Sequence, residues 1–321
     1  MQLKEAVPFL KGAINRAMPG GAASRYIVYE GWIYAQSPAI IAAYPVPHML
    51  GCYALAADDL EGALGRMESE PTLAPGDGCL ILRSGRLRTT IQLLEAEPPA
   101  TTSESISDNM WAAMPAGLMD AMRAALPFVA KEGTWQRGVR IEAGRVLAIN
   151  NRCSIEVALA DFAPAEPSIL TSETVEYLAK LDEPSEAIFG GDYVMFRWAN
   201  QAWARIQAMA TEWPGIVDRV LGDPNPEPPP IALSAEWRAA FADAAALGDG
   251  NLEISPGGIL ARSSHAEHDA GFTTGVERTT YWSLEALKPV FGVAEAWDPD
   301  AQGAARFAGK SCRGVVMGQR R

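Results

Sequence analysis

The strongest constraint on this chain is a pattern that returns along its length: an amphipathic helix stretch, then alternating segments hinged on an Xaa-Gly pair. It is plainest between Met114 and Leu221, where PAGLMDAMRAALPFVA reads as a helix and GVRIEAGRVLAI as two strands across Ala143-Gly144. TSETVEYLAKL then reads as a second helix, EAIFGGDYVMFRWANQAWARI as a second strand set, and TEWPGIVDRVL as an aromatic-proline close. Similar halves flank this stretch. Helix patterns starting at Leu3, Asp58, Ala116 and Ser234 reach Glu30-Gly31, Ser84-Gly85, Ala143-Gly144 and Gly257-Gly258 about 23 to 27 residues later. The half starting at Thr171 reaches Gly190 sooner, and the sixth, after Ser283, has no clear glycine hairpin. Identity between halves is negligible, so the repeat is one of pattern. Repeats of this size imply a modular or ring-like architecture more than a single-site enzyme.

Local signals support the six halves. Leu3, Ala6, Val7, Leu10, Ala13 and Ile14 fall on one helix face. Asp58 and Glu61 have capping-box spacing ahead of the stripe Leu60, Leu64 and Met67. CLILR and RLRTTIQL flank Ser84-Gly85 as the clearest hairpin, with Leu87, Thr89 and Ile91 alternating against Arg88, Thr90 and Gln92. Leu118, Met122, Ala125 and Val129 form the next stripe, and Pro127 ends or kinks that helix near its last turn. Thr171, Ser234 and Ser283 are N-cap candidates, and Trp237, Phe241 and Ala244 share a face. EAEPPATTSES and GDPNPEPPP (222–230) read as connectors. They divide the chain into 1–105, 106–224 and 225–321.

Composition limits the function. With 48% hydrophobic and 21% charged residues, 321 residues suffice for two or three cores. No apolar run approaches the ~20 residues of a spanning helix, and MQLKEAVPFL has no signal-peptide core, so a cytoplasmic protein is expected. Cys52, Cys79, Cys153 and Cys312 have no metal-ligand spacing and read as free, mostly buried thiols. A net charge of −12 argues against a tight grip on nucleic acid through a wide basic face, though not against loosely surrounding it. His265-Ala-Glu-His268-Asp269 reads as a polar loop rather than a metal site, and GxSxG, P-loop and HExxH motifs are all absent. No enzyme, cofactor or metal is therefore expected.

At this point the chain resembles the bacterial DNA sliding clamp, the β subunit of DNA polymerase III. MPAGLMDAMRAALPFVA with RGVRIEAGRVLAINN is similar to that family's second-domain helix, hairpin and following strand. TEWPGIVDRVL is similar to its aromatic-Pro loop, and GVVMGQRR to its C-terminal strand. The resemblance implies an α+β three-domain clamp fold, each domain two helix-plus-strands halves, with two subunits closing head-to-tail into a ring, helices inside and sheets outside. It also implies a homodimeric processivity factor around double-stranded DNA that takes polymerase and clamp-loader peptides, with no membrane role. The chain departs from the family at Asn150-Asn151-Arg152-Cys153-Ser154, where Asp-Gly-aromatic/His-Arg-Leu is usual, and at Gly318, where proline is usual. These departures suggest a diverged member, phage- or element-encoded, with its own peptide preference.

Carried onto this sequence, a DNA-facing wall would draw on Lys4, Lys11, Arg16, Arg66, Arg123, Lys131, Lys180, Arg238 and Lys288. The alternative for each is an ordinary solvated charge balanced by neighbours such as Glu5, Asp120, Glu236 or Glu285. A partner-peptide pocket would draw on Arg152, Ser154, Pro214, Val220, Val315 and Met317, the four apolar ones being equally readable as core. A clamp-like module or decoy that binds partners without encircling DNA stands as the second reading, and an enzyme with no recognisable motif as a more distant third.

Overall fold

The computed structural model describes residues 3–14, 24–102, 105–222, 227–246, 250–262, 267–300 and 304–319. Arg16, His265 and part of the 222–230 connector lie outside the described residues.

In chain order, helix α1 (Leu3–Leu10) leads to strands β1 (Arg25–Tyr29), β2 (Trp32–Gln36), β3 (Ile40–Pro45) and β4 (Cys52–Ala56). Helix α2 (Ala57–Gly65) leads to β5 (Thr72–Gly76), β6 (Cys79–Ser84), β7 (Leu87–Gln92) and the short β8 (Ala112–Ala113). Helix α3 (Leu118–Ala125) precedes β9 (Gly138–Glu142), β10 (Arg145–Ile149), β11 (Cys153–Ala158) and β12 (Ser168–Thr171). Helix α4 (Ser172–Ala179) precedes β13 (Glu186–Phe189), β14 (Tyr193–Arg197) and β15 (Trp203–Gln207). After α5 (Ile216–Leu221) and β16 (Ile231–Ala232), helix α6 (Ala235–Ala245) leads to β17 (Asn251–Ser255), β18 (Gly258–Arg262), β19 (Glu267–Gly271) and β20 (Thr280–Ser283). Helix α7 (Leu284–Val293) precedes β21 (Ala296–Asp298), β22 (Ala304–Ala308) and β23 (Cys312–Met317).

Six helix-then-strands halves are thus present, and they assemble into two compact units. One unit comprises Met1–Pro115 with Glu176–Ala208, the other Ala116–Val175 with Met209–Arg321. Each holds one eight-stranded sheet, ordered β4-β1-β2-β3-β15-β14-β13-β8 and β12-β9-β10-β11-β23-β22-β21-β16. The join in each sheet is an antiparallel pair of strands remote in sequence, β3 with β15 and β11 with β23. The first unit also holds the sheet β5-β6-β7, the second the sheet β19-β18-β17-β20.

Chemistry explains most of the local geometry. The β1–β2 turn is two residues, Glu30 and Gly31, with φ of 44° and 83°. Positive φ at both positions is the primed turn that matches strand twist. Thr171 and Ser234 cap their helices, the hydroxyls accepting from Thr174 and Trp237 N–H at 3.3 Å each. Helix α3 stops at Ala125, and the next turn, carrying Pro127, is a 3-10 turn over Leu126–Phe128.

Four expectations need correction. Asp58 is not a cap: Ala56 holds that position with no side-chain hydrogen bond, and Asp58 lies inside the first turn. Glu61 instead accepts from the Tyr26 hydroxyl (3.0 Å) and pairs with Lys11 (3.1 Å). Ser283 occupies the N-cap of α7 without capping it, because its hydroxyl is engaged by Arg152. His268 and Asp269 belong to strand β19 rather than a loop; the polar composition reflects a sheet edge with exposed Glu267 and Asp269. Among the free cysteines only Cys153 is buried, and Cys52 is exposed.

Candidate functional site

The β11–β23 join builds the site. Cross-strand neighbours in register share a sheet face, so Ile149, Ser154 and Val315 form one row and Leu147, Glu156 and Arg313 the next. Met317 follows beside Arg152, its N–H donating to the Arg152 carbonyl at 2.7 Å. The opposite face, with Ile155, Gly314 and Phe307, belongs to the α3 side, where Phe128 stacks on Phe307 at 5.8 Å.

Helix α5 lies across the first face. Val217 and Leu221, one turn apart, pack against Leu147 and Ile149, with Trp135 and Trp213 beside them. The two indoles meet edge to face at 5.2 Å, and the Arg140 guanidinium sits 5.7 Å from the Trp213 ring. Burying Val217 and Leu221 contributes roughly 1.5–3 kcal/mol each. That leaves the other side of so short a helix uncovered. Ile216 and Val220 are 51% and 40% exposed, and Met317, at the end of β23, is 49% exposed. Such apolar side chains, exposed beside a packed strand pair, suit a linear peptide, and methionine adapts to varied partners.

Of the six pocket candidates, Ser154, Val315 and Met317 share this face of the strand pair and Pro214 and Val220 belong to the segment laid over it, whereas Arg152 turns toward α7 on the Phe307 side. Ser154 and Val315 are buried in the sheet, the Ser154 hydroxyl without a hydrogen-bond partner among the described residues. Pro214 heads α5, its carbonyl accepting from Val217 N–H at 3.3 Å. Arg152 stands at the rim, donating to Ser283 Oγ and Glu285 Oε2, both at 3.0 Å. Ile216 was missed by sequence reasoning, although its place one turn before Val220 carried the signal. Arg152 also borders a cavity of about 410 Å³ between the Pro127–Glu132 segment, the Asn150–Arg152 turn and α7, whose rim mixes Lys131 and Arg152 with Glu132 and Glu285.

A ladder of charges also lies on the α5 side of the sheet. Glu156 accepts from Arg313 Nε (2.9 Å) and Nη2 (3.1 Å) and from Arg145 Nη1 (2.9 Å). Arg145 also bonds Glu142 (2.5 Å) and Asp218 of α5 (2.9 Å), and Arg140 bonds Glu142 (2.6 Å). Burial pushes the Glu156 carboxyl upward, but the bonds from Arg313 and Arg145 outweigh it and hold the group below the usual carboxylate range. Nearby, burial lifts the Cys153 thiol to about 11, against the lowering influence of Asn150 and Arg152.

Several of the DNA-facing candidates are engaged by neighbouring groups of their own unit. Lys11 pairs with Glu61, Arg123 with Asp120 (3.0 Å) and Lys131 with Glu285 (3.8 Å). Lys4 donates to the Met67 carbonyl. Arg238 donates to the Phe291 (3.1 Å) and Ala294 (2.7 Å) carbonyls, closing the C-terminal end of α7. Arg66, Lys180 and Lys288 are exposed.

Six helix-plus-strands halves, two of them joined strand to strand in each long sheet, are the α+β fold of DNA clamps. Solved structures of bacterial sliding clamps share it over the whole chain. The DNA polymerase III β-subunit sliding clamp of Pseudomonas aeruginosa matches with a TM-score of 0.77 at 15% identity, covering 100% of this chain and 98% of that one. The Caulobacter crescentus DNA polymerase III β protein matches at 0.77 and 15%, covering 99% and 97%. The Thermotoga maritima β subunit matches at 0.76 and 14%, covering 100% and 97%. No family sequence model and no curated protein matches the chain by sequence.

Proposed function

We propose that this chain is a sliding clamp: three clamp domains, 1–105, 106–224 and 225–321, whose two copies close head-to-tail around duplex DNA and tether a polymerase through the α5 face. The observation that carries the reading is the sheet plan. Each eight-stranded sheet joins the third strand of one half to the last strand of another, β3 to β15 and β11 to β23. The two shorter sheets each leave one such edge open: β19, third strand of its half, and β7, last strand of its own. Pairing β7 of one copy with β19 of the next repeats the same join.

The two edges are compatible in detail. The bonds Leu93 N–H to Gly78 O and Phe272 N–H to Gly257 O set the hydrogen-bonding parity of each ladder. In that parity Arg88, Thr90 and Gln92 turn their backbone groups outward from β7, and Glu267, Asp269 and Gly271 from β19. Arg83, Arg86 and Arg88 are exposed with no carboxylate partner among the described residues, and they would meet exposed Asp269 and Glu267, the latter already bonded to Arg262 at 2.9 Å. Phosphate attraction without base readout would let such a ring slide, and its work is effective concentration rather than bond chemistry. A cytoplasmic, DNA-associated protein follows from this reading. Polymerase extension of a primed circle tests it: longer products with the protein are expected, and no gain in length overturns it.

A specific observation favours the second reading, a clamp-like module that binds partners without encircling DNA. Three DNA-wall candidates are neutralised by carboxylates, Lys11, Arg123 and Lys131. A stable monomer that is not retained on nicked circular DNA would support it.

A further inference from the structure

The ladder beneath α5 spans four strands, β9, β10, β11 and β23, and ends on the helix itself. Five of its members hold side-chain exposures between 14% and 29%, and only Asp218 is open to solvent, at 55%. Such a network costs desolvation, and surface pairs contribute little stability. Packing does not require it either, since Val217 and Leu221 already seat the helix on Leu147 and Ile149. What those two contacts leave unset is how far α5 slides or tilts over the sheet. A helix of six residues has little cooperative stiffness of its own. Arg145 fixes it through Asp218, and Arg313 reaches the Leu221 carbonyl at 3.5 Å, so both ends of the helix's C-terminal turn answer to one carboxylate, Glu156.

We propose that Glu156 is a positioning residue for the α5 face: by holding Arg145 and Arg313 it sets the placement of Ile216 and Val220 against Met317, and so the affinity for a partner's short apolar peptide. This rests on the peptide-docking part of the function above. Glu156 touches no peptide. The charged groups facing it are Arg145 from β10 and Arg313 from β23, with Glu142 and Asp218 reaching it through Arg145. Protonating Glu156 weakens both arginine contacts together, so docking becomes weaker in acid.

The test uses the full chain and a tetramethylrhodamine-labelled pentapeptide with leucine and phenylalanine anchors and no titrating side chain. Fluorescence anisotropy reads affinity from pH 7 down to about pH 3, below the usual carboxylate range where Glu156 takes up its proton, and hydrogen exchange reads residues 216–221. Glu156→Gln should weaken binding roughly tenfold at pH 7, flatten its pH dependence and speed exchange over 216–221. Asp218→Asn, at an exposed position that does not threaten folding, should do the same in smaller measure, and Asp218→Glu should restore most of it. Unchanged exchange over 216–221 in both Glu156→Gln and Asp218→Asn overturns the proposal, as does wild-type affinity in both. A wild-type chain that fails to bind the peptide counts against the docking reading instead, and the exchange arm still decides the role of Glu156.

Discussion

Gly314 sits where the join between β11 and β23 is tightest. A Cβ there would fall on the Phe307 ring and on the Ser154 carbonyl oxygen. Neither can yield cheaply, because Phe307 is stacked on Phe128 and the carbonyl belongs to the ladder. Gly314→Ala should therefore destabilise the second unit by about 1–3 kcal/mol, as overpacking does, read as a lowered denaturation midpoint. Neighbouring Cys153 supplies a second residue-scale prediction. Its thiol is buried and lifted to about 11, so it holds its proton at neutral pH, and the thiolate is the reactive form. Alkylation at pH 8 should label exposed Cys52 long before Cys153 in the native chain; equal rates would contradict the burial. Residues of this kind were only partly legible in the sequence. A glycine in GVVM says nothing of the ring it faces, and the positions of Ser154 and Val315 on one row depend on a register between strands some 160 residues apart.

At the scale of elements the sequence was most informative where one local interaction decides. Thr171 and Ser234 cap as their spacing implies, because an N-cap hydroxyl needs only the next turn of chain. Ser283 has the same sequence signature, yet its hydroxyl serves Arg152 from 131 residues away. Ser234→Ala should accordingly cost about 1 kcal/mol, with rescue by Ser234→Asp. Ser283→Ala should leave α7 nearly as stable while removing one of the two side-chain anchors of Arg152, the other being Glu285, visible as faster exchange near the Asn150–Arg152 turn. The strands that went unread share a cause. β3 and β4 carry apolar runs without clean alternation, since much of each is buried, and β5, with a proline and a terminal glycine, pairs only at the margin of its sheet. Helix α5 was legible only as an aromatic-proline close; its role as a lid on Leu147 and Ile149 needed the fold. The segment before β8 behaves alike in the other unit, where Ile106 and Trp111 pack against the sheet face of Ile27, Tyr34 and Trp203, and Arg197 stands 4.6 Å over Trp111. Aromatic residues beside a connecting stretch are thus laid on a long sheet in both units.

At the scale of the whole molecule the open edges β7 and β19 make the sharpest prediction. In a head-to-tail pair each copy offers one of each, so every seam sets Arg83, Arg86 and Arg88 against Glu267 and Asp269. Two long β edges left unpaired are a liability that natural sheets blunt with charge or cover with a partner, and here the two charges are opposite. Arg88→Glu should abolish the dimer, because the introduced carboxylate would meet Asp269 in both seams. Asp269→Arg alone should do so for the converse reason. Mixed in equal amounts, the two variants should assemble again. In the mixed pair one seam carries the reversed charges and the other the original ones, and both are complementary. Sedimentation at low and high salt reads the outcome: the mixture should run near twice 34.4 kDa, each variant alone near 34.4 kDa, and added salt should loosen the wild-type pair through screening. A wild-type monomer at all salt concentrations, or variants that dimerise as well alone as together, would place any assembly elsewhere on the molecule.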